Sequence, residues 1–380
     1  MTKILYFIII VTFMDTFVQL PIISPFAVEL GAGEVMAGLI VGIYSFSNMF
    51  GNIIGGYGVD RLGRKRVLLF AMFFVFFLLL GYPLVTTDGQ LLALRFVHGL
   101  FGGILIPASF AIVGDLTRRR NGEASMAYTG AAIGIAAIAG PAIGGIVAAR
   151  SEIYYVFLFV AALFLIAFFL GWKFVPVTLP EEKKESSARE GFGALLKNKT
   201  LWQASGAAFA LMVSNGTLAF ALPFQVESFG FPSSLAGVFL SVFGITALVI
   251  FITPLNRVYR VYSPLLLAAG GLGIIGVALV VLSFTRSAVW TVVLMVMYGI
   301  GFAFLFPSMN EMIARSSEDS ERGKAYGIFY AFFSLGVVAG SSGAGILEKW
   351  TGVPFLISGS FMIAVGVALV VSGKAPRRSF

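Results

Sequence analysis

The sequence predicts an all-α membrane protein with twelve transmembrane helices, arranged as two six-helix lobes related by a pseudo-two-fold repeat. Three observations carry that prediction. The 380 residues are 58% hydrophobic and only 12% charged, with a mean hydropathy of +0.96, whereas a soluble domain is nearer half apolar and a quarter charged. The apolar residues fall in runs long enough to cross a bilayer, which takes about 20 residues. Prolines and glycines also recur at matching places about 200 residues apart.

This composition excludes a soluble enzyme, a secreted domain and a disordered chain. There is no cysteine, which removes disulfides, thiolate nucleophiles and Cys-ligated metals. The one histidine, His98, cannot build a His-rich metal site, so no metal and no cofactor is expected. A net charge of +8 in a chain this apolar points to basic loops on one membrane face and not to nucleic acid.

The twelve spans are read at 4–27, 35–57, 66–85, 90–113, 123–148, 153–175, 201–226, 233–255, 263–284, 288–313, 323–347 and 352–372. The first resembles a signal peptide in length, but Asp15, Pro21 and Pro25 interrupt it and no small-residue cleavage site follows, so a retained helix is expected. With the N-terminus inside, 22 of the 26 Lys and Arg fall in inner loops or tails, against Arg150, Arg286 and Lys349 outside and Arg95 within a span. That asymmetry places both termini in the cytoplasm of a cell-membrane protein.

Gly99, Pro107, Gly140 and Gly145 match Gly299, Pro307, Gly340 and Gly345. Pro25-Phe26-x-Val28-Glu29 matches Pro223-Phe224-x-Val226-Glu227. Apolar bias alone does not place prolines and glycines in register. The domains expected are an N-terminal lobe over 1–175, a polar cytoplasmic linker over 176–200 and a C-terminal lobe over 201–380; residues 189–198 also read as an amphipathic surface helix. Six spans repeated in parallel is the plan of a secondary transporter that rocks one lobe against the other.

The most specific stretch is Gly56-Tyr-Gly-Val-Asp60-Arg61-Leu-Gly63-Arg64-Lys65-Arg66. Gly56 allows close helix approach, Gly63 allows a tight reversal, and Asp60 can complement a positive helix N-terminus. Arg64 needs an acid, and Asp115 at the inner end of the fourth span is the candidate. Read without these features, 61–66 is a topogenic cluster of positive charge. This run resembles the signature of the major facilitator superfamily, and the twelve-span plan extends the resemblance over essentially the whole chain. The resemblance implies that Asp60 faces the start of the eleventh helix near Gly323, and that Asp60, Arg64 and Asp115 form an inner gate between lobes.

In the fourth span, Arg95, Gly99 and Gly103 share a face at i, i+4 and i+8. Arg95 lies roughly 10 Å outside the midplane by rise counting, and a charge there is a functional candidate unless it snorkels outward. The run is similar to a superfamily element associated with proton transfer. His98, near the same face, titrates in the physiological range or serves as a packing residue. In the fifth span, Gly140-Pro141-Ala-Ile-Gly144-Gly145 kinks the helix and leaves room for a neighbour. It resembles the antiporter element of the superfamily's drug:proton branch, with Ala136 where that element begins with glycine; it also reads as a general packing kink.

Asp15 is the acid at mid-membrane, within ~2 Å of the midplane, and Gln19 is one turn outward on its face. Because the family fold makes helices one and four adjoin, Asp15, Gln19, Arg95 and His98 are expected to form one polar cluster. Asp15, Arg95 and His98 are the candidates for proton coupling. Asp15, Gln19, Asn215, Tyr298 and Tyr330 are the candidates for substrate binding, with Ser214-Asn215-Gly216 expected to break the seventh helix. Glu311 is read as interfacial.

The expected function is proton-coupled antiport, exporting small amphipathic or cationic molecules. The alternatives are uptake of sugars, organic acids or amino acids by symport or uniport, and a non-transporting sensor. The expected partners are the lipid bilayer, a small-molecule substrate and protons, with a monomeric chain. The topology can be checked directly. In this cysteine-free chain, Ser187→Cys and Ser379→Cys should react with an impermeant maleimide only after permeabilisation, whereas Ser151→Cys should react in intact cells. The reverse pattern would invert the orientation.

Overall fold

The computed structural model describes the backbone of residues 2–118, 123–176, 197–316 and 322–372, and their side chains except at 2, 60, 113–118, 123–131 and 322–324. Among the described residues the regular structure is helical, without strands. The helices are α1 Thr2–Val18, α2 Ile23–Glu29, α3 Glu34–Leu62, α4 Arg64–Gly81, α5 Asp88–Arg118, α6 Glu123–Arg150, α7 Tyr154–Phe174, α8 Lys199–Ser228, α9 Leu235–Ile252, α10 Val258–Val261, α11 Pro264–Phe284, α12 Ala288–Ser316, α13 Arg322–Thr351 and α14 Pro354–Ser372. Short 3₁₀ turns follow α4 at Tyr82–Leu84 and α9 at Pro254–Arg257. Among the described residues, eleven helices are long and apolar enough to span a membrane, and α1 with α2, taken as one span bent by 49°, makes a twelfth.

The bend falls at Pro21, one of the residues that interrupt the first span in the sequence. Pro21 has no N–H to give to the carbonyl one turn back. The chain instead closes a local turn, in which the amides of Ile22 and Ile23 both donate to Gln19 O at 3.1 Å. Pro25 then sits in the first turn of α2, where its missing donor costs little. Proline does not end the other helices: Pro107, Pro141, Pro223 and Pro307 all lie inside continuous helices. The seventh span is likewise unbroken, since α8 runs through Ser214-Asn215-Gly216. A side chain at Gly216 would meet the backbone of Val337 and Ser341 on α13, so this glycine serves helix packing and not a break.

Two contact units emerge. One comprises residues 1–184 and 222–241, the other residues 185–221 and 242–380. In the first, α1 lies along α6 and α7, α3 along α5, and α4 along α5 and α7. In the second, α11 packs on both α12 and α14, and α13 on α12 and α14. The α3–α5 pair is close because Gly99 and Gly103 present bare backbone: a Cβ at either would overlap a carbonyl oxygen of α3, of Tyr44 and Asn48 respectively. Backbones that approach this closely gain dispersion contact without needing a hydrophobic drive, which lipid does not supply.

The loop motif after the second span is partly described. Gly63 has φ +88°, a conformation that penalises any residue with a Cβ, and it alone separates α3 from α4. Arg64 donates to Ala111 O on α5 at 3.3 Å, and the Arg61 guanidinium lies 4.3 Å from the Tyr57 ring centre. The side chains of Asp60 and Asp115 lie outside the described residues, as does most of 189–198. Gly56 differs from expectation. A Cβ placed on it would meet nothing within 4 Å, and α3 approaches α5 closely instead at Gly51, against Leu100 and Gly103, and at Gly55, against Ile104 and Pro107.

The Gly140-Pro141-x-x-Gly144-Gly145 run is packed on two sides. Gly140 and Gly144 face the α1 backbone at Phe17 and Val18. Gly145 faces Ser234 O, and Gly237 on α9 faces Pro141 O in return. Ser241 Oγ, within reach of both, lies 2.8 Å from Ile138 O and 2.9 Å from Gly237 O. Gly144→Leu would drive its side chain into backbone, which cannot rotate aside, so it should destabilise by at least the ~1–3 kcal/mol typical of overpacking. Pro141→Ala restores a donor and should cost less. Thermal midpoints in detergent should rank wild type, Pro141→Ala, then Gly144→Leu; equal midpoints for the two variants would show that α6 is not closely packed here.

Candidate functional site

The first unit gathers a polar network inside an apolar bundle. Four elements supply it: α1 brings Asp15, α3 brings Tyr44, α5 brings Arg95 and His98, and the turn after α4 brings Tyr82. Gln19, in the turn that ends α1, completes it. Asp15 is 1% exposed, Arg95 4% and His98 0%. A polar group so placed has no water to bond, so it must find protein partners or impose a cost of several kcal/mol.

Each group finds partners. Asp15 Oδ1 accepts from Gln19 Nε2 at 2.8 Å, one helical turn away as the spacing dictates. Asp15 Oδ2 accepts from Tyr44 Oη at 3.2 Å. His98 Nε2 lies 3.1 Å from the same oxygen, close enough for an ion pair when protonated, yet off the line of a hydrogen bond and without another acceptor. On its far side, His98 Nδ1 shares a hydrogen bond of 2.9 Å with Tyr82 Oη. The Tyr82 ring is held by stacking on Phe157, with ring centres 3.7 Å apart and planes within 6°. Tyr44 sets its ring edge-on to His98 at 5.2 Å.

Arg95 does not snorkel. Its Nε donates to Ile40 O and one terminal nitrogen to Val41 O, each at 3.3 Å, and its guanidinium lies 4.6 Å from the Tyr44 ring centre. The other terminal nitrogen donates to Gln19 Oε1. Within the cluster Arg95 reaches Asp15 through Gln19, and the groups that meet the carboxylate directly are Gln19, Tyr44 and His98. The four residues anticipated from sequence are brought together. Tyr44 and Tyr82 are additions, and both are visible in the sequence only as tyrosines near span positions that happen to face the fourth helix.

The chemistry follows from this wiring. With Asp15 ionised and Arg95 charged, the network is neutral when His98 is neutral. One added proton, on Asp15 or His98, leaves it with a charge of plus one. The Nδ1–Tyr82 bond can adapt, because the hydroxyl donates to a neutral ring nitrogen and accepts from a protonated one. The network can therefore hold or release one proton without orphaning Nδ1.

The other anticipated residues lie elsewhere. Tyr298 is buried and bonded to Ser214 Oγ at 2.7 Å, and its ring meets Phe243 edge-on at 5.2 Å. Asn215 is partly buried, and Tyr330 is 52% exposed beside the rings of Tyr326 and Phe333. Glu311 pairs with Arg315 across one turn at an exposed position, an arrangement worth only a few tenths of a kcal/mol. Among the described residues, no three His, Asp or Glu side chains group as a metal site would need.

The sequence profile of the Major Facilitator Superfamily matches residues 5–340 and, in an overlapping stretch, 294–379. The chain is 25% identical to Multidrug resistance protein 1 of Bacillus subtilis over 375 residues, 96% of this chain and 94% of that protein. It is likewise 25% identical to the quinolone resistance protein NorA of Staphylococcus aureus, covering 96% and 93%. To the inner membrane transport protein YajR of Escherichia coli it is 23% identical, covering 96% and 81%. Among solved structures, the nucleoside transporter NupG superposes with a TM-score of 0.78 at 17% identity, covering 98% and 99% of the two chains. A D-xylose-proton symporter superposes with a TM-score of 0.80 at 16% identity, covering 97% and 96%.

The network's dependence on Tyr82 can be measured. Tyr82→Phe keeps the stack on Phe157 but leaves His98 Nδ1 buried without a partner, a loss of about 1–3 kcal/mol. The thermal midpoint in detergent should fall by several degrees, and Tyr82→Phe combined with His98→Leu should recover part of the loss. A midpoint unchanged in the single variant would mean that the hydroxyl does not serve His98.

Proposed function

Because the chain belongs to the major facilitator superfamily, it is an integral, multi-pass membrane transporter and not an enzyme, and we propose that it is a proton-coupled antiporter exporting small amphipathic or cationic organic molecules. The observation that carries this reading is the buried Asp15–His98–Arg95 network. It offers room for a single extra positive charge in an otherwise apolar bundle.

That charge can be a proton or a cationic group of the substrate. At ~4 Å and an effective dielectric near 20, two like unit charges repel by about 4 kcal/mol, so simultaneous loading is disfavoured by roughly a thousandfold. Mutual exclusion of this size is what exchange requires: arrival of the substrate's cation expels the proton, and the returning proton expels the cation. The network is shut away from solvent in this structure, so each exchange needs helix movement that opens it first to one face and then to the other. The 1–175 and 201–380 lobes are the bodies we assign to that alternation. The Gly-Pro element on α6, packed backbone to backbone against α1, is a suitable pivot, because it joins the movement of α6 to the helix that carries Asp15.

Two further observations favour export. Three relatives that cover nearly all of this chain include two whose names describe multidrug or quinolone resistance. The polar side chains near Asp15 are also already bonded to one another, which leaves few free donors for a sugar. The structural neighbours titled as a nucleoside transporter and a sugar symporter are similar at identities that speak to fold alone.

Asp15→Asn keeps the shape and the hydrogen bonds to Gln19 and Tyr44 but cannot exchange a proton. In proteoliposomes with an imposed pH gradient, wild type should move ethidium or tetraphenylphosphonium against its concentration gradient, and Asp15→Asn should lose that accumulation at least tenfold while folding normally. Accumulation that persists in the variant would overturn the assignment of Asp15. Gradient-driven uptake of a sugar in the direction of proton flow would favour symport instead.

A further inference from the structure

The internal repeat does more than copy helices. It carries the positions of the buried network into the second unit, where each finds a different residue. Asp15 corresponds to Ser214 and Tyr44 to Phe243, both 199 residues on, and His98 corresponds to Tyr298, 200 residues on. The geometry is carried over as well. His98 lies 3.1 Å from Asp15, and Tyr298 lies 2.7 Å from Ser214. The Tyr44 ring meets His98 edge-on at 5.2 Å, and the Phe243 ring meets Tyr298 at 5.2 Å. The glycine that follows each, Gly99 and Gly299, faces the carbonyl oxygen of Tyr44 and of Phe243 respectively.

What has changed is the charge. Acid and imidazole have become two hydroxyls, and the phenol beside them has become an apolar ring. Arg95 corresponds to Met295 and Gln19 to Leu218, both fully buried and apolar. No charged group among the described residues faces Tyr298, whose neighbours are Ser214 and Phe243. By contrast, His98 is faced by Asp15 from α1, Tyr44 from α3 and Tyr82 from the turn after α4, with Arg95 one turn away on its own helix.

We propose that the Ser214–Tyr298 pair is a proton-silent copy of the Asp15–His98 site: a neutral tether that fixes α8 to α12 throughout the cycle and takes no part in carrying the coupling proton. A serine–tyrosine pair keeps the same protons across physiological pH, since an ordinary tyrosine holds its proton to about pH 10. An acid–imidazole pair, by contrast, is built of groups that carry charge in one protonation state and not in the other. The two units thus share one scaffold for opposite purposes, a switch in one and a fixed bond in the other. The inference rests on the reading of Asp15 as proton carrier, but its test does not require transport.

Infrared difference spectra of the purified protein in lipid, taken between acid and alkaline pH, read buried carboxyl and imidazole protonation directly. In wild type a buried carboxyl band should appear at acid pH. Asp15→Asn should remove it entirely, whereas Ser214→Ala and Tyr298→Phe should leave its pH midpoint within about 0.3 unit of wild type while lowering the thermal midpoint. The double variant Ser214→Asp with Tyr298→His, which rebuilds the acid–imidazole pair in the second unit, should add a second carboxyl band. A pH-dependent band that survives Asp15→Asn but vanishes in Tyr298→Phe would overturn the proposal, and so would a midpoint displaced by a unit or more in Tyr298→Phe. Failure of the antiport reading would show instead in flux: accumulation retained by Asp15→Asn, whatever the spectra show.

Discussion

Burying the carboxylate of Asp15 in an apolar bundle is the constraint on which the rest of the first unit depends. An ionised acid without partners at that depth would cost several kcal/mol, a large share of what holds any protein together. The surrounding elements are arranged to meet that demand. The turn at Gln19 returns an amide to the acid at 2.8 Å. The tight α3–α5 approach brings Tyr44 within 3.2 Å, and the same helix that holds the approach also carries His98 and Arg95. Removing the glycines from α5 would therefore disturb the acid as well as the packing, because the spacing between backbones sets the distance between the polar side chains.

In this network His98 Nε2 is left without a hydrogen bond, and the other links run through neutral groups. Gln19 bridges Asp15 to Arg95, so the two full charges are linked through a neutral amide and are not locked into a direct ion pair. A direct pair in a dry interior would be harder to open, since separating it strands two buried charges. The Tyr82 hydroxyl can reverse its role toward His98 as the ring gains or loses a proton. The bend at Pro21 separates α1 from α2 next to this network, and the Gly-Pro element of α6 rests on the same stretch of α1. The buried acid, the bend and the packing of α6 thus meet at one short segment, residues 15–22.

The second unit shows what the same scaffold does when the charge is taken away. Ser214 and Tyr298 satisfy each other, and the positions that hold arginine and glutamine in the first unit hold methionine and leucine. That pair requires no counter-ion. The comparison separates the features that serve packing, which both units keep, from those that serve charge, which only one does. The glycines after His98 and Tyr298 belong to the first group; Asp15, Gln19, Arg95 and His98 belong to the second.

Much of this was legible in the sequence. Hydropathy located the spans because a bilayer admits only helices of a set length and apolarity, a constraint that acts locally along the chain. The Asp15-Gln19 and Arg95-Gly99-Gly103 spacings showed which residues share a face, because helical periodicity fixes that without knowledge of neighbours. The repeat was readable from prolines and glycines, whose backbone demands do not depend on context. Only the tertiary structure decided that Arg95 reaches Asp15 through Gln19, that Tyr44 and Tyr82 join the network, that the seventh span is unbroken, and that α3 approaches α5 at Gly51 and Gly55 and not at Gly56. Those outcomes depend on the rotation of each helix about its axis and on its distance from its neighbours, and both are set by side chains on other helices, tens to hundreds of residues away.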